Sequence, residues 1–151
     1  VVENADAEIE ALNTIDPLVT AVVDKRFQKD LEGFVPQKDS TATIVLEEYR
    51  PNRLTYKSKA DKEQLAVFSE VYYQPGWTAT VDGKEVPHFR ADWILRGMRV
   101  PAGEHTIVFE FRPQGYVTAA YVSSYSSFLI LLLLIAAVGW SGWKYWRKNK
   151  K

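Results

Sequence analysis

Between Pro113 and Trp143 the chain carries no charged residue, and Lys144, Arg147, Lys148, Lys150 and Lys151 follow immediately. No other feature constrains the fold as strongly. Phe128 to Val138 is eleven residues without a polar side chain, whereas a helix on a soluble core keeps a polar face. Tyr121 to Trp143 supplies 23 residues, against the roughly 20 that a helix needs to cross a bilayer. Aromatic residues flank the run on both sides: Tyr116, Tyr121 and Tyr125 before it, Trp140, Trp143, Tyr145 and Trp146 after it. Amphipathic rings gather in this way at the headgroup level. Five basic and no acidic residues fill the last eight positions, so the positive-inside rule places the C-terminus in the cytoplasm and residues before about 115 outside it.

The expected partner of this segment is therefore the lipid bilayer, with Tyr121, Tyr125, Trp140, Trp143, Lys144, Arg147 and Lys148 at its interfaces. The chain starts at Val1 without a signal-like segment, and its position rules out the apolar run as a signal peptide. The expectation is that this is the C-terminal piece of a longer protein whose upstream part carries the domain across the membrane. Leaving out the tail, residues 1–143 hold 14 basic and 19 acidic residues, a net charge of −5. Nucleic acid is not an expected partner, because the basic cluster sits where a membrane anchor belongs. The absence of cysteine excludes disulfides and thiolate metal sites.

The first segment reads as a helix capped by Asn4, with Asp6 and Glu8 in its first turn and Ile9, Leu12 and Ala5 on one face, ending at Asp16-Pro17. Val19 to Val23 is an apolar run of strand length, and Asp24 to Phe34 returns to helical spacing through Phe27 and Leu31 until Gly33. After Pro36 the pattern turns to β. Candidate strands are Thr41 to Tyr49, Arg53 to Lys59, Gln64 to Tyr73, Trp77 to Val81, Glu85 to Phe89, Trp93 to Val100 and Glu104 to Arg112. Asp82-Gly83 and Pro101-Ala102-Gly103 specify hairpins, and Trp77, Ala79 and Val81 alternate with Thr78 and Thr80 to give one core face. The unbroken run Leu65-Ala66-Val67-Phe68 reads as a strand covered on both faces and central in its sheet. The expected fold is mainly β: a jelly-roll-like antiparallel β-sandwich with short N-terminal helices and one C-terminal transmembrane helix. Its divisions are an α/β segment at 1–36 packing on the sandwich, the sandwich at 37–115, the membrane helix at 116–143 and a basic tail at 144–151.

No residue is put forward as catalytic. His88 and His105 stand in or beside hairpins without a His or Cys partner at ligand spacing, so they read as surface histidines, with no metal or cofactor implied. Glu47 and Glu48 are neighbours on one strand and point to opposite faces. The strongest binding constellation is aromatic and basic: Tyr72, Tyr73, Trp77 and Trp93 with Arg90, Asp92, Arg96 and Arg99. Flat rings accept the C–H face of a sugar and arginine grips phosphate in bidentate fashion. From this group Trp93, Tyr73, Arg90, Asp92 and Arg96 are the candidate substrate-binding residues. Two readings remain open at this point, since Trp77 also fits a core position and the arginines also fit solvated strand faces or lipid headgroups.

A set of short motifs in fixed order adds a resemblance. Ala11-Leu12, Asp16-Pro17, Ala21-Val22-Val23, Tyr49-Arg50-Pro51-Asn52, the run from Phe68 through Gln74-Pro75-Gly76-Trp77, Val81-Asp82-Gly83, Arg90-Ala91-Asp92 and Leu95 to His105 precede the final apolar helix. Together they resemble the C-terminal region of YfhO-family bacterial membrane proteins, which are similar to polytopic GT-C glycosyltransferases. The resemblance implies a parent with many membrane helices in the bacterial cytoplasmic membrane. It also implies a polyprenyl-phosphate-linked sugar donor and an envelope polymer such as teichoic acid as acceptor. It brings no catalytic residue to this stretch, because GT-C enzymes carry their essential acid in an early extracytoplasmic loop. Two function classes follow: an accessory sandwich of a membrane glycosyltransferase, with upstream membrane helices and carbohydrate or lipid-linked sugar as partners, or a structural envelope module that the helix simply anchors.

Overall fold

Eight strands pack as two antiparallel sheets in the computed structural model, which describes residues 1–149. The first sheet runs in the order β1 (Thr43–Arg50), β2 (Arg53–Ala60), β8 (Gly103–Phe111), β4 (Trp77–Val81), β5 (Lys84–Val86). The second runs β3 (Gln64–Val71), β7 (Leu95–Val100), β6 (Phe89–Ala91). Between them lies a core of Leu54, Tyr56, Phe68, Ala79, Val81, Met98, Val100, Ile107 and Phe109. Leu54 and Tyr56 of β2, Ala79 and Val81 of β4, and Ile107 and Phe109 of β8 enter it two residues apart, as the period of a strand demands. Burying a side chain of Leu, Ile or Phe size contributes roughly 1.5–3 kcal/mol, so this cluster dominates the sandwich's stability.

A second cluster joins Val23, Phe89 and Ala91 to Phe27, Leu31, Leu65 and Val67. This explains the unbroken apolar run in β3: Ala66 and Phe68 pack with the inter-sheet core, while Leu65 and Val67 pack with residues of the N-terminal segment. Both faces are covered, yet the strand is not central. β3 lies at the edge of its sheet and β7 occupies the middle, because the second cover comes from the chain's N-terminal segment and not from lateral neighbours.

That segment also departs from its apolar pattern. α1 (Ala5–Leu12) starts where expected, with the Ala7 N–H donating to Asn4 Oδ1 at 2.9 Å. Ile9 is exposed, however, and the residue buried completely is Glu8. Val19 to Val23 forms no strand. Val22 is held instead by two bonds to Asp92: its N–H donates to Asp92 Oδ1 at 2.7 Å and its carbonyl accepts the Asp92 N–H at 2.8 Å. A 3₁₀ helix, Lys25–Leu31, follows, capped by Asp24.

Two strand boundaries move for backbone reasons. Pro87 has no N–H for a ladder, so the expected strand Glu85 to Phe89 divides into β5 on one sheet and β6 on the other. Asp92 and Trp93 adopt φ of 48° and 69°, which postpones β7 until Leu95. In the Asp82-Gly83 turn both residues have positive φ, the geometry that lets a two-residue loop follow the strand twist.

The chain separates into two units, Val1–Arg112 and the part from Pro113 onward. The second unit is α2 (Gln114–Asn149), 36 residues of which none is buried. At ~1.5 Å per residue it is about 54 Å long, more than the ~30 Å of a hydrocarbon core. Lys150 and Lys151 of the basic tail lie outside the described residues.

Candidate functional site

Beside the 3₁₀ helix a cleft of about 730 Å³ opens between that helix, the loop after β3 and the β5–β6 connection. Tyr72, Trp77 and Phe27 give it aromatic walls, and Asp30, Gln74, Glu85 and Arg26 supply polar groups. A few polar groups among rings is the usual make-up of a small-molecule site. The rings brace one another: Tyr72 meets Phe27 edge-on at 5.6 Å and His88 at 5.7 Å. Burial pushes the Asp30 carboxyl upward, and burial and then Asp30 raise the Tyr72 phenol.

His88 at the back of this cleft is not a surface histidine. Its ring packs edge-on against Phe109 at 5.9 Å, and its Nε2 is buried without a hydrogen-bond partner. Burial, and then the nearby Arg96 charge, hold it down to about 4, so it is neutral at physiological pH. A neutral imidazole in this position offers the cleft a hydrogen-bonding group and no charge.

Arg96 explains part of that environment. The sequence places it among the substrate-binding candidates, and the fold buries it to 1 % exposure with its guanidinium carbon 4.5 Å from the centres of both the Trp77 and Phe109 rings. One N–H reaches the Val71 carbonyl at 3.3 Å, while Nε and Nη1 have no partner. Burial lowers its affinity for the proton, yet a guanidinium stays charged at neutral pH. It thus backs the Trp77 wall of the cleft from inside the sandwich.

The other candidates lie elsewhere. Arg90 is the cross-strand partner of Arg96, but it donates to Glu8 Oε2 at 2.7 Å and to Asp24 Oδ2 at 3.3 Å. Asp24 is itself held well below the usual carboxylate range, chiefly by the Arg26 side chain and N–H. Asp92 binds Val22, and the Trp93 N–H donates to the other oxygen of Glu8 at 2.9 Å. Trp93 and Tyr73 remain exposed at 43 % and 53 %. The structure therefore gathers Tyr72, Trp77 and Arg96 from the sequence-level constellation around one cleft and leaves Tyr73, Arg90, Asp92 and Trp93 outside its lining. Asp30, Gln74 and His88 gave no local signal, because their shared position depends on the 3₁₀ helix packing against β6 and Tyr72.

A sandwich with its own core joined to one helix long and apolar enough to cross a membrane defines a membrane-attached β-domain. Bacterial membrane protein YfhO is the family that matches, over residues 20–123, from the stretch ahead of the 3₁₀ helix into the start of α2. The chain belongs to the YfhO family of bacterial membrane proteins. No curated protein and no solved structure matches it.

Proposed function

We propose that the chain is the extracytoplasmic accessory domain and a membrane helix of a polytopic glycosyltransferase-like protein of the bacterial cytoplasmic membrane. On this reading the parent transfers a sugar from a polyprenyl-phosphate carrier to an envelope polymer, and this part binds carbohydrate and does no chemistry itself. The observation that carries the reading is the family match across the sandwich and into α2. Lys144, Arg147 and Lys148 on the C-terminal side of the apolar run support a cytoplasmic C-terminus and an external sandwich.

The cleft supplies the binding chemistry. A pyranose presents a face of C–H bonds that packs on Tyr72 or Trp77, while Asp30 and Gln74 accept and donate to its hydroxyls. Arg96 backs the Trp77 wall of the cleft, while Arg90 and Asp92 hold the N-terminal segment that carries the 3₁₀ helix, and Tyr73 and Trp93 stand exposed outside the cleft.

The test uses the parent protein in membranes with its polymer acceptor. Tyr72→Ala should raise KM for the acceptor about tenfold, the equivalent of ~1.4 kcal/mol of lost binding, with kcat little changed. Unchanged KM in that variant and in Gln74→Ala, in a correctly folded protein, would leave only a structural module and overturn the carbohydrate-binding reading.

A further inference from the structure

The sandwich has two dissimilar poles. The Pro101-Ala102-Gly103 stretch, expected to form a hairpin, instead crosses from β7 in one sheet to β8 in the other. The Tyr73 ring after β3 lies 6.4 Å from the Phe111 ring at the end of β8. The start of β7 and the end of β8 therefore lie at the same pole, together with the end of β3, the β1–β2 turn and the start of β4. The opposite pole carries the Asp82-Gly83 turn and the Lys59–Glu104 ion pair, with Asp61 and Lys62, and is polar. The first pole exposes Val71, Tyr73, Trp93 and Ile94 as well as Tyr49. It also bears Arg50, Arg53 and Arg112, all largely exposed, which pair with Glu48 and Glu110, and two further carboxylates, Glu47 and Glu70, stand at the same end.

Two observations indicate what this pole meets. Arg112 and Pro113 alone separate β8 from α2, so a chain stepping ~3.8 Å per residue can place Gln114 no further than about 11 Å from Phe111. The covalent connection to α2 therefore leaves from the apolar pole and not from the polar one. The second observation is strain. Asp92 and Trp93 both occupy the left-handed region, which costs non-glycine residues roughly 1–3 kcal/mol each. Hydrogen bonds from Val22 to Asp92 and from Trp93 to Glu8 hold that conformation, and its result is to present Trp93 and Ile94 to the outside. A folded domain that uses buried bonds to expose two large apolar side chains has a partner for them.

We propose that this pole docks on the lipid surface, with Trp93 and Ile94 inserted at the headgroup level and Arg50, Arg53 and Arg112 meeting lipid phosphates. Rings with a polar edge and arginines with apolar stems are the side chains that suit this layer. Docking fixes the height of the sandwich above the membrane and goes beyond any sugar bound in its cleft.

The absence of cysteine makes single nitroxide labels unambiguous. Ile94→Cys, Tyr73→Cys and Lys84→Cys are labelled in the whole chain and reconstituted in vesicles of phosphatidylglycerol and phosphatidylethanolamine. Accessibility to oxygen is then compared with accessibility to a water-soluble nickel chelate. Labels at 94 and 73 should show an oxygen-to-nickel ratio severalfold above that at 84, which stays aqueous on the far pole. Aqueous ratios at all three positions, with native β-sheet circular dichroism, would overturn docking. Dipolar broadening between labels at 94 without a change in depth would assign the patch to a second copy and equally overturn it.

Discussion

Glu8 is fully buried on a helix whose apolar residues are partly outside, and its replacement gives a graded test of the N-terminal packing. Its carboxylate accepts one hydrogen bond from the Arg90 guanidinium and one from the Trp93 N–H. Hydrogen bonds to a charged group are worth about 1.5–3 kcal/mol each when buried. Glu8→Gln keeps an oxygen for Trp93 and loses the ion pair; Arg90 retains Asp24 and some contact with water, so the expected loss is at the low end, about 1.5–2 kcal/mol. Glu8→Ala loses both bonds and leaves a void, for about 3–4 kcal/mol. Arg90→Met leaves a fully buried carboxylate facing one N–H and should cost about 3–5 kcal/mol. The double variant Glu8→Gln/Arg90→Met should then be milder than the sum of its parts by at least ~1 kcal/mol. Urea unfolding of the whole chain in micelles, followed by tryptophan emission, measures all four. A Glu8→Ala midpoint within error of the parent would refute the buried pair. Additivity of the two single changes would show that the residues do not act on each other.

Gly97 has no room for a side chain, since a Cβ would stand 2.9 Å from the Phe89 ring and 3.1 Å from Ala91 Cβ. Gly97→Ala should destabilise by about 1–3 kcal/mol in the same assay, because Phe89 is enclosed; a neutral change would mean that the ring gives way. Arg96→Met should leave stability unchanged or raise it, since an apolar chain of similar length removes two unsatisfied donors, whereas a loss above ~2 kcal/mol would reveal a stabilising partner for the guanidinium. The pH dependence follows from His88. Its folded-state affinity for the proton is depressed from 6.5 to about 4, so the unfolded chain binds the proton more readily and stability is lost as pH falls from 6.5 towards 4. Allowing for its partial exposure, the loss is about 2 kcal/mol. His105 acts in the opposite sense, because Asp82 raises it and its contribution fades as pH rises through that raised value. His88→Phe should flatten the slope between pH 4 and 6.5, and an unaltered slope would assign the transition to carboxylates.

Several features were legible in the sequence because their causes are local. The apolar run to Trp143 needs no tertiary partner to become a helix, Asn4 caps α1 with its own side chain, and the Asp82-Gly83 turn is specified by two residues that tolerate positive φ. Alternation along β4 likewise announces which face is core, since the period of a strand is fixed by its backbone. What the sequence left open depends on residues far apart in the chain. Glu8 reads as an ordinary first-turn acid until Arg90 arrives 82 positions later, and Arg90 and Arg96 read as one basic cluster until the fold sends one towards Glu8 and the other between two rings. β3 looks central because two layers cover it, although a pattern of burial carries no information about lateral neighbours. The cleft is decided last, when the 3₁₀ helix brings Asp30 against Tyr72, Trp77 and His88. Local chemistry fixes backbone conformation residue by residue, whereas a binding site is a relation between distant side chains that exists only after the chain has closed on itself.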